Sequence, residues 1–135
     1  MEFIANGKPD SANTFLQPFV NETISLLENG LEFYGKVLPL MIEGFICDAP
    51  AKSFIKYTKG HNGYSSCGSC KIVGEYEENR VVFCGIDFEK RTDTEYRQVQ
   101  DDLSDDTHKL GIPILERLPI DMITQFPHDY MHLIC

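Results

Sequence analysis

The chain has 135 residues, enough for one domain with a modest core. Its composition, 42% hydrophobic and 24% charged, is that of a globular protein and argues against disorder along the whole length. The net charge of −9 argues against strong stand-alone nucleic-acid binding, no apolar run reaches membrane-spanning length, and the start MEFIANGKPD lacks a secretory pattern.

Taken in chain order, residues 2–5 (EFIA) read as a short strand and Asn6-Gly7-Lys8-Pro9 as a turn. Asp10 or Ser11 can cap a helix running to about Glu28, with Gly30 as its stop. Phe15, Leu16, Phe19, Val20, Ile24 and Leu27 fall at helical spacing and form one apolar face. Pro18 conflicts with an unbroken helix and predicts a kink or a later start. LEFYGKVLPLMIEGFICD offers two extended segments, the second a strand over 40–47 that ends at Asp48. Pro50 suits the first turn of a helix that continues to Tyr57. Asp48 therefore stands where a strand gives way to a helix. Its type and position fit a helix cap, or a carboxylate at a strand's carboxyl end, where ligands of α/β folds gather.

KIVGEYEENRVVF reads as a hairpin turning near Glu78-Asn79, and Thr92-Asp-Thr-Glu95 as a capping box opening a short helix. Residues 111–118 and 119–125 read as short helices or turns, and FPHDYMHLIC as an apolar helical pattern that stops part-way, as in a fragment. The acidic runs 75–78 and 101–106 read as solvated loops. Basic residues thicken only at Lys52, Lys56 and Lys59, so any nucleic-acid contact is local. Five cysteines, an odd number without the spacing of a secreted scaffold, point to a reducing, intracellular compartment.

The stretch Gly63-Tyr-Ser-Ser-Cys-Gly-Ser-Cys-Lys71 holds a Cys-X-X-Cys pair among small residues. That spacing converges two thiolates on one point and supplies half of a tetrahedral Zn²⁺ site. Two unligated structural cysteines, or a redox pair, are the alternatives, although a redox pair normally opens a helix after a strand. Candidates for the remaining ligands are His61, Cys84, His108, His128, His132 and Cys135. His132 and Cys135 have the i, i+3 spacing that lets two helical side chains face one metal. Asp129 and His132 form Asp-X-X-His, which by itself is an ordinary helix surface pair.

The run FICDAPAKSFIKYTKGHNGYSSCGSCKIVGEY, with KRTDTEYR and LPIDMITQFPHDYMHLIC, resembles transposase-derived proteins related to the CACTA-type (En/Spm) cut-and-paste DNA transposases. The resemblance covers nearly the whole chain, and CDAPA…GHNGYSSCGSC and FPHDYMHL are its most specific pieces. It implies an α/β fold of mixed α+β character: an incomplete RNase H-like core over residues 1–58, then an insertion over 59–135 carrying the Cys-X-X-Cys loop, a hairpin and short helices. In such cores three carboxylates hold two Mg²⁺ or Mn²⁺ ions for in-line phosphodiester attack. Asp48 matches the second carboxylate; Cys67 and Cys70, 19 and 22 positions further on, match a zinc pair; Asp129 and His132 match the family's Asp-X-X-His. The first Asp and the Glu have no counterpart here, so strand transfer by this chain alone is not expected. The resemblance implies DNA as the partner of the full-length ancestor and a nuclear location if functional. A small zinc-stabilised module binding protein partners is the alternative function.

Overall fold

The computed structural model describes residue 7 and residues 9–60, 63–98 and 108–127. The class is α+β. Helix α1 (Ala12–Asn29) precedes the hairpin β1 (Leu31–Phe33)–β2 (Lys36–Leu38), and helix α2 (Ala49–Lys56) precedes the hairpin β3 (Glu75–Glu77)–β4 (Arg80–Val82). A short helix α3 (Asp93–Gln98) and a 3-10 turn (Ile114–Arg117) complete the described elements. Both ladders are two-stranded and antiparallel, and an RNase H-like sheet is not among the described residues. The expected strand over residues 2–5 lies outside them.

α1 forms where capping and periodicity place it. Ser11 Oγ accepts from Thr14 N at 3.3 Å, and Gly30, at φ 73°, returns its N–H to Leu26 O. Pro18 sits inside the helix without ending it, on the exposed side. Val20 is fully buried, with Leu16, Ile24 and Leu27 packed against the core beside it. Phe15 and Phe19 depart from the expected apolar face and stay about half exposed, Phe19 resting edge-on against Phe45.

The expected strand over 40–47 is absent. Residues 31–38 fold back on themselves, with Tyr34 and Gly35 both at positive φ in a two-residue turn. Residues 39–48 then run without a ladder partner. Pro39 removes one donor at their start, and the apolar side chains do not alternate: Ile42 and Phe45 turn inward, whereas Met41 and Ile46 point to solvent. Gln125 does the work of a neighbouring strand. Its carbonyl accepts from Phe45 N at 2.8 Å and its side-chain amide donates to Ile42 O at 2.7 Å.

The core gathers Val20, Tyr96, Leu115, Leu118, Ile120, Met122, Ile123 and Phe126, with Ile42, Phe45 and Ile55 at its margin, so it draws on both sides of residue 58. Most of it comes from residues 113–126, which have little regular structure. Side chains satisfy that segment's backbone. Asn13 on α1 bonds Ile112 O and Ile114 N, Arg97 donates to Glu116 O and Ile120 O, and Asp93 accepts from Met122 N. Lys109 is buried against Glu116 at 2.5 Å.

Candidate metal centre

The Cys-X-X-Cys loop is pinned along the segment before α3. Lys71 N donates to Glu89 O at 2.9 Å, Arg91 N donates to Ser69 O at 3.0 Å, and Cys70 pairs with Lys90 as an isolated bridge. The half-buried Arg91 guanidinium also donates from Nε to Cys67 O at 2.9 Å. Lys71 bridges Glu89 and Glu95 at 2.7 Å each. Small residues let the chain turn tightly enough for the two sulfurs to meet.

Cys70 Sγ donates to Cys67 Sγ across 3.1 Å. That is well beyond the ~2.05 Å of a disulfide. Two sulfurs on one zinc, each at ~2.3 Å, stand about 3.8 Å apart, so a side-chain rotation of under about 1 Å would seat the ion. Burial pushes the Cys67 thiol up, but the Cys70 thiol, the backbone N–H groups of Ser69 and Cys70 and the Arg91 charge together hold it below its ordinary value. Burial and the hydrogen bond to Cys67 raise Cys70. Of the two, Cys67 is therefore the thiol that gives up its proton first. The pair sits in a turn and not at a helix start, so it lacks the helix terminus that activates redox pairs.

These two thiols fit half of a zinc site. Among the described residues no group of three or more His, Cys, Asp or Glu side chains could hold a metal. Cys84, which is exposed, and the buried His108 therefore do not complete a site with the pair there. The other candidates, His61, His128, Asp129, His132 and Cys135, lie outside the described residues.

Asp48 is exposed and caps α2: its Oδ1 accepts from Ala51 N at 2.7 Å, and Pro50 occupies the helix's first turn. It is the described residue that matches a catalytic carboxylate in the resemblance. A pair of Mg²⁺ or Mn²⁺ ions needs further carboxylates than this one.

The sequence reading did not give Arg91 a role, although it forms one side of the cysteine loop. Its signal, a basic residue just before a capping box, is too common to single out. No protein-family model, curated protein or solved structure matches the chain.

Proposed function

We propose that the chain is part of a cut-and-paste transposase catalytic domain, with Cys67 and Cys70 forming half of a structural zinc clip, and that it does not transfer DNA strands alone. The observation that supports the clip is the pair of thiols hydrogen-bonded at 3.1 Å and not joined as a disulfide, with Cys67 lowered below its ordinary value, on a loop tied down by Arg91. Asp48 supports the ancestry only through the motif around it. When bound, zinc would tie this loop to ligands elsewhere and supply folding energy.

Cobalt substitution tests the clip. Co²⁺ added to the reduced protein should give a thiolate-to-metal charge-transfer band that is absent in Cys67→Ser, Cys70→Ser. Because the pair is half of a site, the band should need excess Co²⁺, and a wild-type spectrum without it even in large excess rules the clip out. The ancestry predicts an Asp-bearing strand and a Glu-bearing helix encoded in frame on either side of this segment, and a genomic frame lacking both would overturn it.

A zinc-stabilised interaction module is the second reading. The shared core across residue 58 and the −9 charge, suited to basic protein partners, favour it. One tightly held zinc per chain with a sharp monomeric melting transition would select it.

A further inference from the structure

The three lysines noted in the sequence do converge. Lys52 and Lys56 lie one turn apart on α2 and Lys59 follows it; with Thr58, Ser66 and His108 they line a cavity of about 140 Å³. No carboxylate is among the residues that line it. Lys56 is only 1% exposed, with Nζ 4.9 Å from the Phe126 ring and 5.4 Å from the Tyr96 ring. The other deeply buried lysine, Lys109, has Glu116 beside it; Lys56 forms no salt bridge among the described residues. A buried ammonium without a direct salt bridge is costly, and an anion in the cavity would offset that cost.

His108 adds an unsatisfied group to the wall. It is 6% exposed, and its Nδ1 lies 2.6 Å from Ser65 O, a carbonyl, so Nδ1 carries the proton. That leaves Nε2 as a lone-pair acceptor, and it is the buried side-chain nitrogen without a hydrogen-bond partner among the described residues. Burial, then the Arg91 charge, with Lys56 and Lys59 adding to it, keeps this imidazole neutral. Burial, with the Lys52 and Arg91 charges, lowers Lys56 to about 8 against the opposing pull of Cys47 and Asp121, and burial lowers Lys52 against Cys47 and Cys67.

Three lysines on the wall disfavour a divalent cation and favour an anion. The complementary ligand is small, carries anionic oxygens for the lysines and keeps one O–H for His108 Nε2. We propose that this cavity binds a hydrogen-phosphate group, either inorganic phosphate or a terminal phosphate monoester. Sulfate has the same shape but no proton at neutral pH, and an internal phosphodiester likewise has no P–OH, so both fit less well. The proposal does not rest on the zinc reading: neither cysteine lines the cavity, although Ser66 and Gly68 of the same loop do.

Inorganic phosphate and sulfate titrated into the whole chain, followed by calorimetry and by the imidazole nitrogen resonances of His108, test this. Phosphate should bind saturably, shift Nε2 and outcompete sulfate. Lys56→Met should weaken phosphate by about tenfold or more. Because it removes a buried charge that has no salt bridge, it should melt no lower than wild type in phosphate-free buffer, so loss of binding is not loss of fold. His108→Asn keeps a donor for Ser65 O and removes Nε2; it should bind phosphate and sulfate alike. A 5′-phosphorylated oligonucleotide against its unphosphorylated twin separates the sources: preference for the former assigns a terminal ester, equal weakness of both assigns free phosphate. An unmoved His108 resonance, equal wild-type affinity for phosphate and sulfate, or full phosphate affinity in Lys56→Met would each overturn the proposal.

Discussion

Asp48 shows how far one residue can be read. Its neighbours Ala49 and Pro50 announce a helix start, and the cap is there at 2.7 Å. Whether the same carboxylate ever held a metal is a separate property, and two substitutions divide them. Asp48→Asn retains an acceptor for Ala51 N and should change stability by a few tenths of a kcal/mol. Asp48→Ala removes it and should cost about 1 kcal/mol, read from urea unfolding midpoints. Equal losses in both variants would mean that the charge, and not the cap, matters at this position. The lysines and His108 were legible only as residue types. Spacing puts Lys52 and Lys56 on one helical face, but nothing local in the sequence says that Lys56 is buried or that Ser65 O orients His108.

Elements defined by local chemistry were legible, and elements defined by partners were not. The hairpin over 75–82 turns at Glu78-Asn79, both at positive φ, and Thr92 and Glu95 meet as the capping box predicts, with Glu95 N donating to Thr92 Oγ1 at 3.3 Å. Residues 40–47 failed because bulky apolar residues mark burial, not a ladder; what decides the segment is Gln125, over eighty residues away. The short helix α3 depends on a similar long-range contact. Tyr96 is 5% exposed and its hydroxyl donates to Lys56 O at 2.5 Å, joining α3 to the end of α2. Tyr96→Phe keeps the packing but leaves that carbonyl unsatisfied, so it should cost about 1–2 kcal/mol. Amide exchange should then quicken at Tyr57 and Thr58, whose N–H groups close α2, more than in α1. Uniform quickening would show that Tyr96 supports the core and not that junction.

At the scale of the molecule, two features follow from the balance of surface and core. β1–β2 is an isolated ladder with exposed side chains on both strands: Phe33 is 57% exposed, Tyr34 90% and Val37 67%. A lone two-stranded hairpin is marginal in water and its edges invite pairing. Sedimentation should show concentration-dependent association that Val37→Lys reduces, and an unchanged profile would place the contact elsewhere. The second feature is acid sensitivity. Burial holds His108 down at about 4 in the folded chain, against ~6.5 when unfolded. Between those values the unfolded chain binds a proton that the folded chain does not. Stability is therefore complete above about pH 6.5 and falls as pH drops toward 4, by on the order of 3 kcal/mol. Glu95, lowered chiefly by its hydrogen bond from Lys71, adds its loss only as pH falls from the ordinary carboxylate value downward, so most of the His108 window lies above it. Urea unfolding in phosphate-free buffer at pH 7 and pH 4.5 should show the drop in wild type and a much flatter profile in His108→Asn. The same drop in both would assign the acid limb to carboxylates. Added phosphate should raise wild-type stability at both pH values, because at pH 4.5 the folded His108 is still chiefly the neutral acceptor that the bound P–OH requires.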